Sequence, residues 1–378
     1  MNKVWLYGLG LVVAGMACGV ILISTSRASI TCINFDNISL SNTYPICGDT
    51  ADAFDATGDI WCPSGPTDIP CECGDTVLTT TKLDEATDPV VSSGPGDVCP
   101  DDALFLTDGV TLDCDGLGLR GDFTGDGVEV EGVSGVTVKR CTIRNFGTGI
   151  DVFESSDFTL DSNKVKENVF LGILVEDSSQ GTVKNNTASN NFLSVGIFLS
   201  DADHITVDKN KASNNGEVGI GLVGLCSNNV ITNNTAKNNQ FAGIGLDLDP
   251  DATANTLDHN KVSRNEGDGI LLLGGHDNFI TNNEATHNTE DGIDIESEDN
   301  VVAGNTGHHN GTDADFDNGL EVVEGTGNAV TNNVFNSNAR HGVCAIPGNT
   351  DGGGNKGKNN GVPPDVSFND ATCGEPPI

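Results

Sequence analysis

The chain has 378 residues, 36% of them hydrophobic and 5% aromatic, with 48 Gly and a formal charge of −37 from 55 acidic and 18 basic residues. That charge excludes a nucleic-acid surface, which needs clustered Lys and Arg, and it disfavours anionic membranes. It suits divalent cations, a saline habitat or simple solubility.

The first segment, 1–28, opens Met1-Asn2-Lys3, runs apolar from Val4 to Ile23 and ends with Ser26 and Ala28 in small-x-small spacing. It reads as a secretory signal. The apolar run is also about the ~20 residues that span a bilayer, so an uncleaved anchor is the alternative and the only expected membrane contact. Twelve Cys in an exported chain point to an oxidising compartment: secreted, periplasmic or cell-surface.

Residues 29–100 read as a Cys-rich N-terminal cap, because Cys32, Cys47, Cys62, Cys71, Cys73 and Cys99 all precede the repeats. Losing Cys18 with the leader leaves an odd number, so at least one thiol is free or pairs between chains. Cys71-x-Cys73 is too tight for the usual zinc spacing.

From 101 to 346 the chain repeats. A Gly-aliphatic-x-aliphatic unit starts at Gly127, Gly149, Gly172, Gly196, Gly219, Gly243, Gly269, Gly292, Gly319 and Gly342. Alternation at period two marks a strand with aliphatics such as Ile173 and Val175 facing inward. About fourteen residues after each Gly stands an Asn: Asn163, Asn186, Asn210, Asn234, Asn260, Asn283, Asn305, Asn333 and Asn355, with Cys141 in the first full coil. One amide per coil is what a stacked hydrogen-bonded ladder needs.

A coil of about 23 residues cannot bury its own aliphatics, whereas stacking coils ~4.8 Å apart closes a continuous core. The expected fold is all-β: a right-handed parallel β-helix solenoid of about ten to twelve coils with an internal Asn ladder and a Cys-rich N-terminal cap. The tail, 347–378, covers the other end, and a Cys344–Cys373 bridge would pin it.

Residues 109–150, from Gly-Val-Thr-Leu-Asp-Cys-Asp-Gly through Gly-Val-Thr-Val-Lys-Arg-Cys-Thr-Ile-Arg-Asn-Phe to Gly-Ile, resemble the opening of parallel β-helix repeat proteins. Cys73-Gly74-Asp75-Thr76 and Asp351-Gly352-Gly353-Gly354-Asn355 resemble the edges of that domain. The resemblance is to the pectin-lyase-like superfamily and to the related β-helix family of periplasmic copper-binding accessory proteins. It implies the fold but no single activity, because this architecture hosts lyases, hydrolases, epimerases, binders and rods. The family's catalytic signatures are displaced or absent: Asn349-Thr350-Asp351 lies in the tail, and Asp249-Pro250-Asp251 lacks the His of the epimerase motif.

Strand register predicts the outward surface. Its middle is apolar at Leu174, Phe198, Val223, Leu271 and Leu273, which either floor a sugar-binding groove or lie under a covering segment. Its acidic group is Asp247, Asp249, Asp251, Asp294, Glu296, Glu298 and Glu321. Asp294 with Glu321, one coil apart, fits the ~5 Å carboxylate spacing of a retaining glycosidase. Asp247 with Glu296, two coils apart, fits the wider inverting one. Asp247, Asp249 and Asp251 are also candidate calcium ligands, against the plain alternative of a solvated acidic face. His287 and His309 hold equivalent positions one coil apart, as exposed turn residues or a weak metal pair.

Three functions fit these features. The first is a secreted or surface protein that binds or modifies a polysaccharide or cell-surface glycan, as a lyase or glycoside hydrolase if catalytic. The second is a non-catalytic structural or adhesive rod. The third, implied by the resemblance alone, is a periplasmic copper accessory protein.

Overall fold

The computed structural model describes residues 71–373 except 87, 89, 93–97 and 313–316. The leader and most of the Cys-rich segment, 1–70, lie outside the described residues, and with them the expectation of a signal peptide or anchor.

Among the described residues the coils contribute short strands to three parallel sheets of 13, 12 and 11 strands. In one coil these are Leu171–Glu176 in the first sheet, Thr182–Lys184 in the second and Thr187–Ser189 in the third. Successive coils pair in register here: Ile173 faces Ile150 and Ile197, and Val183 faces Leu160 and Val207. Among the described strand pairs the register shifts only after Leu273 and after Val330. The inward side chains of this coil, Ile173, Val175, Val183 and Ala188, are fully buried. Burying each larger aliphatic stabilises the fold by about 1.5–3 kcal/mol.

The corners are single residues in the left-handed region. Asn185, Lys209, Asn233, His259 and Asn282, with φ of 54–57°, turn the chain from second to third strand in successive coils. Asn adopts this conformation at little cost. Immediately after each corner comes the expected ladder. Asn186 Nδ2 donates to Asn210 Oδ1 at 3.1 Å, Asn210 to Asn234 at 3.1 Å and Asn234 to Asn260 at 3.0 Å.

Two further ladders accompany it. One runs from Asn168 through Asn191, Asn215, Asn239, Asn265, Asn288, Asn310 and Asn338 to Asn360. The other runs from Asn229 through Asn255, Asn278, Asn300 and Asn328 to Asn349. Each of the three starts on a different residue. The ladder through Asn163 begins on the Cys114–Cys141 disulfide, whose Cys141 N–H donates to Asn163 Oδ1 at 3.0 Å. The Asn168 ladder begins on Phe146, whose N–H donates to Asn168 Oδ1 and whose ring occupies the space a side chain at Gly121 would need. The Asn229 ladder begins on Ile205, whose N–H donates to Asn229 Oδ1 at 2.8 Å.

The parallel pairing extends beyond the repeat boundaries of 101 and 346. Asp75–Val77 pairs with Leu104–Leu106, and Val366–Phe368 pairs with Val343–Ala345. These outer coils lack the Gly-led triplet, so periodicity alone places them in the caps. Cys73 bridges to Cys99 and Cys344 to Cys373, fastening both ends, while Cys226 is free and buried.

Candidate functional site: the outer face of the first sheet

The outward row of the first sheet runs in register from Glu129 through Asp151, Leu174, Phe198, Gly221, Gly245, Leu271, Asp294 and Glu321 to Cys344. Beside it, Ser200, Val223, Asp247, Leu273 and Glu296 form a second row.

The apolar middle is largely filled in. Phe198 is 0% exposed, so it offers no surface to a ligand; Leu271 is 5% exposed, while Leu174, Val223 and Leu273 keep partial exposure. The reason lies in the two glycines of the row. A Cβ at Gly221 would meet Phe198 and Val195, and one at Gly245 would meet Val218 and Ala242. Val195, Val218 and Ala242 belong to the segments entering each first-sheet strand, and they pack over the face in the room those glycines leave.

Asp247 is half-buried, and burial raises its carboxyl pKa. Leu273 stands between it and Glu296. Asp249 and Asp251 are exposed in the following turn, where Asp251 N–H donates to Asp249 Oδ1 at 2.9 Å. The structure does not gather their oxygens with that of Asp247 into a metal-sized set among the described residues.

It gathers others. Carboxyl oxygens of Asp291, Asp294 and Glu321 all lie within 4.8 Å of one another, and the three residues are 6–7% exposed. Asp294 and Glu321 come from neighbouring strands. Asp291 comes from the position before the repeat Gly, a column that changes from Val195, Val218 and Ala242 to Asp268, Asp291, Asn318 and His341. Side chains in this column accept from the next coil's backbone. Asp291 N–H donates to Asp268 Oδ1 at 2.8 Å, Asn318 N–H to Asp291 Oδ1, and His341 N–H to Asn318 Oδ1 at 3.2 Å. Asn318 Nδ2 also donates to Glu321 Oε1 at 2.8 Å.

Burial, then the charges of Glu321, Asp294 and Asp268, push the Asp291 carboxyl well above the ordinary range. Burial and Glu290 do the same to Asp268. A carboxyl held neutral beside ionised ones is the arrangement that separates an acid from a base.

A second cluster lies toward the N-terminal end of the same face, where oxygens of Asp102, Asp126 and Glu129 fall within 4.8 Å. Burial and Asp102 raise Asp126 to about 7. Asp151, beside Glu129, is pushed well above its usual value by burial and then by Asp126 and Glu129.

Asp126, Asp268 and Asp291 were not singled out by the outward-row reasoning. The signal that finds them is the residue before each repeat Gly, which is acidic at these three positions and apolar in the middle coils.

A stacked parallel solenoid with its polar chemistry on one outer sheet face defines the class of protein: a parallel β-helix. The right-handed β-helix region family matches residues 126–254 and 245–360, and the chain belongs to that family. The sequence matches no curated protein. Among solved structures it is similar to the A-module of the mannuronan C-5 epimerase AlgE6 of Azotobacter vinelandii, with 16% identity, TM-score 0.53, and 80% of this chain and 91% of that one covered. It is also similar to the catalytic domain of a GH87 α-1,3-glucanase, with 16% identity, TM-score 0.53, and coverage of 79% and 62%. At such identities the likeness establishes the fold alone.

Proposed function

We propose that the chain binds a polysaccharide along the outer face of the first sheet and acts on its glycosidic bonds at Asp291, Asp294 and Glu321. The observation that carries this reading is the gathering of three nearly buried carboxyls within 4.8 Å; burial and then the neighbouring carboxyls raise the pKa of Asp291 among them. Asp294 and Glu321 face each other on adjacent strands, which lie ~4.8 Å apart, near the ~5–5.5 Å of glycosidases that use one carboxyl as acid and the other as nucleophile. Asp291, whose raised pKa favours the protonated form, is the acid of this reading, with Asp294 and Glu321 beside it.

Supporting the substrate class are the similar structures named as a mannuronan epimerase and a glucanase. Phe170, Phe192 and Leu193, 39%, 54% and 57% exposed at the entrance to first-sheet strands, offer apolar contact for sugar rings. The disulfides support an extracellular or periplasmic location.

One observation favours a non-catalytic rod instead: the Asp268 and Asp291 side chains already accept backbone N–H groups, so part of their role is to join coils.

The binding half is tested by electrophoresis of the full chain through gels containing uronate-rich or neutral polysaccharides, with and without calcium. Retardation by a subset, reduced by Phe192→Ala, is the expected result. Unchanged mobility in every gel contradicts the reading.

A further inference from the structure

The chain has seven His, and they divide into two kinds. His204, His259 and His276 each place Nδ1 against a neighbouring carboxylate, at 2.6 Å from Asp203, 2.5 Å from Asp258 and 2.8 Å from Asp277. His341 Nδ1 lies 2.8 Å from the Pro364 carbonyl oxygen. His287, His308 and His309 have no such oxygen partner among the described residues. They face one another.

Their ring centroids are 5.2 Å apart for His287 and His308, 5.1 Å for His287 and His309, and 5.0 Å for His308 and His309. A ring nitrogen from each falls within 4.8 Å of the other two.

The backbone fixes this triangle. His287 and His309 occupy the same left-handed corner in successive coils, with φ of 59° and 57°, and His308 ends the strand Thr306–His308. The His287 N–H donates to the His308 carbonyl at 3.1 Å, locking the two coils at this point. In the coils on either side the same positions hold Ser263 with Arg264 and Asn336 with Ser337, so the triad occurs at a single step of the third sheet.

We propose that His287, His308 and His309 form a surface site for a divalent late first-row transition cation. Imidazole nitrogen favours zinc, copper and nickel over calcium and magnesium, which take oxygen. Bonds of about 2.0–2.1 Å require ligand nitrogens roughly 3.3 Å apart. All three side chains are exposed, so small rotations about their side-chain torsions close the remaining gap. Three imidazoles leave a fourth tetrahedral position open to water or another ligand.

Arg264, in the preceding coil, carries a charge that a bound cation must overcome. The site is independent of the carboxyl cluster, which lies on the first sheet.

The test is calorimetric titration of the full chain with Zn²⁺ near neutral pH, in excess Ca²⁺ to occupy the acidic surface. The expected result is one equivalent of zinc bound, weakened at least about tenfold by His308→Asn and likewise by His287→Asn. Asn already occupies the His287 corner in other coils, at Asn190, Asn214 and Asn238, so His287→Asn preserves the turn. Should one variant fail to fold, the other decides. Absence of a one-equivalent site, or a site that a folded variant leaves unchanged, overturns the proposal.

Discussion

Asp294 faces Glu321 across neighbouring strands of the first sheet, and Asp291 reaches the same point from the column before the repeat Gly. Three carboxyls so close and so little hydrated cannot all ionise without mutual repulsion. The cluster therefore keeps protons to higher pH than ordinary carboxyls do, and this sets its chemistry as well as its effect on stability.

The stability effect has a definite sign. Burial raises the folded pKa of Asp268 and Asp291, so above the ordinary Asp value of about 3.9 the folded chain holds more protons than the unfolded one. Stability then falls as pH rises from about 4 through the raised folded values. Asp268→Asn keeps an oxygen for the Asp291 N–H and removes the share of that loss due to Asp268. Thermal unfolding should show the variant melting above wild type at neutral pH, with the gap closing near pH ~4. Equal differences at both ends of the range contradict the assigned shift.

Asn210 is the clearest test of the ladders. Its Oδ1 accepts both the N–H and the Nδ2 of Asn186, and its own Nδ2 donates to Val183 O at 2.8 Å. Asn210→Ala removes these buried bonds and leaves the Asn186 N–H without its acceptor, at a cost of about 2–4 kcal/mol. Chemical denaturation measures it, and a loss below ~0.5 kcal/mol, ordinary for surface changes, refutes the structural role.

The repeat glycines are needed for close approach. A Cβ at Gly219 would lie 2.6 Å from the Gly243 carbonyl oxygen and 2.7 Å from Asn239 Nδ2, whereas one at Gly118 would come no nearer than 3.6 Å to Thr142 O. Gly219→Ala should cost at least about 1–3 kcal/mol through overpacking. Gly118→Ala should change stability by no more than about 0.5 kcal/mol. Paired denaturation curves check the contrast, which disappears if coil spacing is looser than the structure shows.

Cys226 should be chemically silent in the folded chain. Burial pushes its thiol up to about 12, and Sγ already lies 3.3 Å from Val223 O. Since the thiolate is the reactive form, alkylation followed by peptide mass mapping should modify Cys226 only after denaturation. Rapid labelling under native conditions contradicts its burial.

The fold was legible because its code is periodic: Gly196-Ile197-x-Leu199 and its copies name the inward row, and Asn186-to-Asn210 spacing names a ladder. The Asn168 and Asn229 ladders use the same signal at other offsets and can be found by the same count. What the period could not show was how the outer face is covered. Phe198 alternates as an outward residue should, yet Val195 and the vacancy at Gly221 bury it. The His triad was half visible: His287 and His309 share a column, while His308 belongs to the adjoining strand end and joins them only through the coil-to-coil register.

The most direct measurement is release of reducing ends from the polysaccharide that retards the chain, comparing wild type with Glu321→Gln and Asp291→Asn. The account predicts turnover by wild type and a loss of at least about 100-fold in each folded variant, since each removes a group from acid–base chemistry. Undiminished turnover in both variants, or none in wild type on a polysaccharide it binds, would contradict the assignment of glycosidic chemistry to this cluster.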